Sequence, residues 1–464
     1  MKNKYSYVLN SIFKIIVILL LPNSINAQFG SPFVIDSANN TLVNTINIVD
    51  LDNDNQKDIL VSNLYDSVYW YKNNGLLFNR MSAISNTVKR PYFVDCADVD
   101  GNGLQDVLVS YDDVYAGLKL FKNFGGNTWQ QIIINDSIDA FVVRSYLVDL
   151  DNDSDLDIIS CQDLEVAIYE QSAGTFSGMI KVADSSEFYN LVVHDFNGDG
   201  FVDFSVHSAA GFRLFINNHN LTFSPQTFTT ALYLTLESCD IDNDGDFDLF
   251  YPDSAVSFNL ITLKNDGSGG FSNFQSVMYH AGNNQNPPLK FLTLDNDTFP
   301  DALYIPLVNR GLYYKSNDGV GGLNFSHFID SVYRYTFVNG GDLDGDNDND
   351  LVWFANEPFG IKRVGYTLNN SGNTDYNELS SQEFYFYPNP VSNNILNIKY
   401  FSPTSSGGVF EIVDAIGKTV FKYTLPLYSS NHQITLPQLQ NGVYNAMLTY
   451  EGAKICRKLA IVDN

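Results

Sequence analysis

Apolar residues along this chain come in short runs, each ended by polar or turn-forming residues. Ile46-Asn47-Ile48-Val49 leads into an acidic stretch, and Ile59-Leu60-Val61 follows it. Leu191-Val192-Val193 and Leu249-Phe250-Tyr251 flank other acidic stretches in the same way. Runs this short, rich in β-branched and aromatic residues, predict strands, and the acidic stretch between two of them predicts a hairpin loop. A third run closes on Asn or Gly, as in Tyr69-Trp70-Tyr71-Lys72-Asn73-Asn74-Gly75, Leu118-Lys119-Leu120-Phe121-Lys122-Asn123 and Arg213-Leu214-Phe215-Ile216-Asn217-Asn218. A fourth opens on an aromatic: Phe78, Trp129, Phe176, Phe223, Phe271 or Phe325.

The pattern repeats. DLDNDNQKD (Asp50 to Asp58), DVDGNGLQD (Asp98 to Asp106), DLDNDSDLD (Asp149 to Asp157) and DFNGDGFVD (Asp195 to Asp203) are the first four acidic stretches. DIDNDGDFD (Asp240 to Asp248), TLDNDTFPD (Thr293 to Asp301) and DLDGDNDND (Asp342 to Asp350) complete the set. Their starts lie 45–53 residues apart. Four strands per repeat predict an all-β fold, a seven-bladed β-propeller over residues 28–370. The seventh repeat lacks an aromatic-led fourth strand. Phe29-Gly30-Ser31-Pro32-Phe33-Val34-Ile35 is expected to supply it, closing the ring and covering an exposed edge.

Positions 1, 3, 5 and 9 of the loops carry Asp, or occasionally Asn, with Thr293 at position 1 of loop six the exception. The candidate ligands are Asp50, Asp52, Asp54 and Asp58; Asp98, Asp100, Asn102 and Asp106; Asp149, Asp151, Asp153 and Asp157; and Asp195, Asn197, Asp199 and Asp203. The later loops add Asp240, Asp242, Asp244 and Asp248; Asp295, Asp297 and Asp301; and Asp342, Asp344, Asp346 and Asp350. Alternate residues of a tight loop turn their oxygens to one centre, and hard oxygen donors in this number suit Ca2+, in up to seven sites. Position 6 is often Gly, as a sharp left-handed turn requires. The loops depart from an EF-hand at position 12, which is Val61 in the first copy. Loop six has Thr293 at position 1 and Thr298 at position 6, so it is expected to be the weakest site. Loops five and seven are expected to be the best.

Charge sharpens the division. The 464 residues carry 26 Lys+Arg and 53 Asp+Glu, a formal charge of −27. Residues 28–383 hold 49 of the acids, and residues 384–464 hold 4 acids against 6 bases. No basic stripe offers itself to nucleic acid. With 44% hydrophobic residues, the chain is too apolar for an acidic disordered polymer. Residues 371–383 read as a polar linker. Met1 to Ala27 begins with Lys2 and Lys4, runs through IIVILLL and ends on a small residue, the order of a secretory signal peptide; no transmembrane span is expected in the mature chain. Cys96, Cys161, Cys239 and Cys456 are far apart with no C-x-x-C, and the three beside acidic stretches, Cys96, Cys161 and Cys239, are expected to be buried free thiols.

These repeats resemble the FG-GAP/VCBS repeats of calcium-binding β-propellers, the fold of integrin α-subunit heads. The resemblance covers about residues 30–370 and implies calcium hairpins on one face and partner docking on the other face or at the rim.

Residues 384–464 predict a small β-sandwich. Pro388-Asn389-Pro390, Gly417, Leu436 with Leu439, Asn441-Gly442-Val443-Tyr444 and the terminal Lys458-Leu459-Ala460-Ile461-Val462 resemble the type A sorting domain of Bacteroidetes type IX secretion. That resemblance implies the type IX machinery as a partner, export past the outer membrane and a secreted or surface location.

No H-E-x-x-H, G-x-S-x-G or phosphate loop occurs. The histidines (194, 207, 219, 280, 327 and 432) are scattered, and His194 is expected to be structural. Trp70, Trp129 and Trp353 sit at strand positions, where core packing is favoured over sugar stacking. The expected function is a non-enzymatic, calcium-stabilised module binding a protein or glycan at the cell surface. The alternatives are a polysaccharide lyase or hydrolase on a propeller scaffold, and a purely structural surface-layer component.

Overall fold

The computed structural model describes residues 28–370 and 384–461. Within these ranges, 39–41, 65–66, 113–115, 139–141, 163–164, 185–187, 209–210, 229–235, 254–258, 279–288, 296, 307–310, 358–359, 388–390, 392–393, 401–408, 414–417, 426–430 and 451–452 are excepted. The expected signal peptide, the 371–383 linker and Pro388-Asn389-Pro390 lie outside the described residues. The chain divides into two compact units, Met1–Gly372 and Asn373–Asn464.

The first unit contains seven four-stranded antiparallel sheets among the described residues. The first sheet runs Val43–Val49, Asp58–Asn63, Ser67–Lys72 and Asn79–Arg80. Its second strand is buried at all six positions, because successive side chains point to opposite faces and both faces are covered. Ile59 and Val61 pack with Val352 and Phe354 of the seventh sheet, while Leu60 packs with Val107 and Val109 of the second. The same division recurs around the unit, so seven apolar clusters each join neighbouring sheets and the ring is closed.

Closure uses the N-terminal segment. Phe33–Ala38 pairs with Lys362–Thr367 as the outer strand of the seventh sheet, whose other strands are Asp350–Asn356 and Tyr335–Gly341. The strand starts four residues later than Phe29, where the sequence pattern put it. Phe29 instead makes a single bridge to Asn369, and its ring packs beside Tyr314 in the core between the sixth and seventh sheets. The third sheet also departs from expectation. Phe176 belongs to a two-stranded hairpin, Gln171–Ser172 with Thr175–Phe176. A turn with positive φ at Ala173 and Gly174 folds that segment back on itself, and Ile180–Asp184 becomes the outer strand.

The first strand of each sheet faces the axis. Asn47 donates to the Val94 carbonyl at 2.9 Å, and Asn339 donates to the Ile46 carbonyl at 2.8 Å, stitching the seventh sheet to the first. Around the axis lies a cavity of about 530 Å³ lined by Asp95, Arg144, Tyr146, Glu237 and Lys290 among others. The Arg144 guanidinium reaches Glu237 at 3.1 Å, and Lys290 lies 3.7 Å from the same carboxylate. This charge cluster ties the third, fifth and sixth sheets together.

The expected tryptophan packing is observed. Trp70 and Trp353 are buried, with their indole N–H groups bonded to Asn127 and Thr367, and Trp129 is half-buried. Cys96, Cys161 and Cys239 form no disulfide; Cys161 is fully buried as expected, whereas Cys96 and Cys239 are half-buried.

Among the described residues, the second unit holds two antiparallel sheets. Phe384–Tyr387, Ile395–Tyr400 and Asn431–Thr435 form one; Thr419–Thr424, Val409–Val413, Gly442–Tyr450 and Ala453–Ile461 form the other. Leu396 and Ile398 from the first share one core with Phe410, Ile412, Leu448 and Leu459 from the second. No described helix is long and apolar enough to cross a membrane.

Candidate metal centres

Each acidic loop connects the first and second strands of its sheet, and its own backbone shapes it. The position 1 carboxylate accepts N–H bonds from across the turn. Asp50 takes those of Asp54 and Asn55 at 3.2 and 2.8 Å, and Asp240 takes those of Asp244 and Gly245 at 3.1 and 3.0 Å. Such a turn needs left-handed backbone twice, not only at position 6. Asn53, Gly101, Asn152, Gly198, Asn243 and Gly345 at position 4 all have positive φ. So do Asn55, Gly103, Ser154, Gly200, Gly245 and Asn347 at position 6. Asn and Gly tolerate this conformation best. Thr298 does not adopt it, so loop six follows a different path.

Five loops bring three carboxylates together. Asp50, Asp52 and Asp58 converge, as do Asp98, Asp100 and Asp106; Asp149, Asp151 and Asp157; Asp240, Asp242 and Asp248; and Asp342, Asp344 and Asp350. In each triplet one oxygen per residue lies within 4.8 Å of the others. Oxygens about 2.4 Å from one calcium ion are at most about 4.8 Å apart, so the spacing fits a shared hard cation. One oxygen each of Asp52, Asp149 and Asp242 is buried without a hydrogen-bond partner, an arrangement that is costly unless a cation satisfies it. The donor set therefore fits a divalent metal.

The position 5 residues stand outside these triplets. Asp54, Asn102, Asp153, Asp199, Asp244, Asp297 and Asp346 each accept the N–H of position 7, at 2.8 to 3.2 Å. Loops four and six form no such triplet among the described residues. In loop four, Asn197 replaces the position 3 acid and donates to Asp199, while Asp195 accepts three backbone N–H groups and Asp203 is buried. In loop six, Asp295 and Asp301 remain, but Thr293 bonds Asn349 of the seventh loop.

Position 9 has a second role that the sequence pattern did not reveal. One oxygen of Asp58, Asp106, Asp157, Asp203, Asp248, Asp301 and Asp350 accepts the N–H of position 2 in its own loop, at 2.9 to 3.2 Å. The other accepts the N–H of Asn73, Asn123, Gln171, Asn217, Asn265, Asn317 or Asn369 at the end of the third strand, at 2.7 to 2.9 Å. Each of those amide side chains then donates to the position 2 carbonyl of the preceding loop, at 2.6 to 3.4 Å. Seven such clasps run around the ring, and Asn73 to Leu343 joins the first sheet to the last. The recurrence of Asn at the third strand's end was the available signal, but a turn explains it equally well.

Burial pushes the position 9 carboxyls up: Asp106, Asp157 and Asp203 to about 6, Asp58, Asp248 and Asp301 to about 7, and Asp350 to about 8. In metal-free protein these groups take up protons at higher pH than ordinary carboxyls do. A carboxyl whose pKa rises on folding stabilises the fold fully below its unfolded pKa, and that contribution is lost as pH rises through the folded value. Metal-free protein should therefore melt higher at pH 5.5 than at pH 8.5. Metal binding should also release protons, seen by titration calorimetry in buffers of different ionisation enthalpy. Equal melting at both pH values would contradict this account. His194 is stacked on Phe247 at 3.8 Å, and burial lowers its pKa to about 4, so it is a packed, neutral side chain.

A ring of four-stranded sheets with acidic hairpin loops places the first unit among propeller-like all-β proteins. An FG-GAP-like repeat model matches residues 50–109, 149–206 and 195–251, and a secretion system C-terminal sorting domain matches residues 385–462. The chain thus carries FG-GAP-like repeats followed by a type IX sorting domain, and is a secreted or cell-surface protein. No curated protein matches it. Among solved structures, BBS1N in complex with ARL6DN aligns with a TM-score of 0.50 and 11% identity, covering 72% of this chain and 97% of that one. A structure titled for recognition of non-reducing terminal N-acetylglucosamine by an Agrocybe aegerita lectin aligns with a TM-score of 0.47 and 16% identity. It covers 63% of this chain and 81% of that one. The first likeness shows the fold alone.

Proposed function

We propose that the mature protein is a calcium-stabilised propeller that binds a protein or glycan outside the cell. The observation that carries this reading is the clasp: the carboxylate that helps form each triplet also ties its loop to the preceding sheet. An ion supplies positive charge that offsets repulsion among the carboxylates. Asp50, Asp52 and Asp58 and their four counterpart triplets would hold it. The amides Asn73, Asn123, Gln171, Asn265 and Asn369 pass that order to the neighbouring loop. A ring stiffened in this way presents fixed surfaces, which lowers the ordering cost of binding a partner. The sorting domain supports the extracellular setting.

The test compares calcium-loaded and chelator-treated protein on glycan and extracellular-protein arrays. Selective binding by the loaded form alone is expected. Absence of selective binding in both forms would sink the reading.

One observation favours a second reading, a polysaccharide-acting enzyme. The axial cavity holds two carboxyls with opposite shifts. Burial pushes Asp95 up to about 6, whereas Lys290 and Arg144 outweigh burial and hold Glu237 below its ordinary value. Carboxyls tuned apart can serve as acid and base. Cleavage of any member of a polysaccharide panel, abolished by Asp95→Asn, would establish this alternative.

A further inference from the structure

Three of the five triplets already have a cation beside them. In the first sheet, the Lys72 ammonium bonds Asp52 and lies 2.9 Å from Asp54. In the fifth, Lys264 bonds Asp242 and lies 3.0 Å from Asp244. In the second, the largely buried Lys122 is 3.5 Å from Asp100. All three lysines stand immediately before the clasp asparagine, and all three engage the position 3 carboxylate, a member of the converging triplet. The same place holds Glu170 in the third sheet and Leu368 in the seventh.

We infer that Lys72, Lys122 and Lys264 are tethered counter-cations that weaken divalent-metal binding at loops one, two and five, leaving loops three and seven as the tight sites. This rests on the calcium reading above. An incoming ion must either displace the ammonium from its carboxylate or share the loop with a like charge, and both reduce affinity. The same ammonium partly neutralises the loop's carboxylates, so the three self-neutralised hairpins depend least on metal for their order. Loop five, the richest in aspartate together with loops three and seven, then ranks below both. Carboxylate number alone does not set the order of the sites.

The test uses the full mature chain, stripped by chelator and titrated with calcium chloride in a calorimeter. Two classes of site are expected, and Asp151→Asn with Asp344→Asn should remove the tighter one. Lys72→Met, Lys122→Met and Lys264→Met together should tighten the weaker class by about tenfold or more. The same variants should lower the melting temperature without metal while leaving it unchanged or raised with calcium. A merely structural lysine would lower both. Lys72→Arg keeps the charge and should keep the weak affinity, and Glu170→Lys should weaken loop three by about tenfold. An unchanged weak class in the methionine variants, with the tight class still present, overturns this inference alone. Failure to bind calcium in either class overturns the calcium reading with it. Should the triple variant fail to fold, Glu170→Lys decides: unaltered tight binding counts against the inference.

Discussion

Removing divalent ions is expected to lower the melting temperature of the first unit by about 7 °C. A ligand at 100 times its dissociation constant adds about 2.7 kcal/mol per site, so two filled tight loops contribute about 5 kcal/mol. A domain this large shifts by about 1.5 °C per kcal/mol. The loss should fall mainly on loops three and seven. Asp151→Asn and Asp344→Asn, each removing a converging carboxylate, should therefore reproduce most of it. Differential scanning calorimetry with and without chelator checks the expectation. A melting temperature indifferent to chelator would falsify it, because the orphaned oxygens of Asp52, Asp149 and Asp242 would then need some other partner.

Glu237→Ala is expected to cost about 3–5 kcal/mol, the usual penalty for removing one partner of a buried ion pair. Arg144 and Lys290 both face this carboxylate, and the Arg144 side chain is only 13% exposed. Without Glu237, two cations share one cavity with Asp95 and Tyr146. Urea unfolding should show a lower midpoint at an unchanged slope. Arg144→Met with Glu237→Leu should recover part of the loss, since the more deeply buried cation is gone and only the more exposed Lys290 loses its partner. The Glu237 pKa is depressed on folding, so its contribution is present at neutral pH and is lost as pH falls through the folded value. A single variant as stable as the wild-type protein would show that the cluster does not brace the ring.

The repeat was legible because Asp recurs at positions 1, 3 and 9 between runs such as Ile46 to Val49 and Ile59 to Val61, and a hairpin is local in sequence. Closure was legible from a deficit, the missing fourth strand of the last repeat. Its register was not, because Phe29 and Phe33 are equally aromatic, and only the packing of Phe29 near Tyr314 separates core anchor from strand. The clasps were hidden for a different reason. Asn217 bonds Leu150, 67 residues away, and no periodicity reports a side chain that reaches across to the preceding sheet. The lysine contacts were hidden likewise, since Lys264, on a strand, and Asp242, in the loop, are 22 residues apart. The axial cluster has no repeat signature at all. Arg144 and Glu237 are 93 residues apart and occur once each.

The strand Lys362–Thr367 lies between Asp350–Asn356 and Phe33–Ala38 and runs antiparallel to both. Just beyond it, Asn370 donates to the Gln28 carbonyl, and Gly30 donates to that of Leu368. Traction applied to the chain past residue 370 is thus directed along a strand gripped on two sides, whose bonds must give way collectively in shear instead of peeling one by one. A molecule held by its tail against flow would keep its wheel intact until that grip failed as a whole.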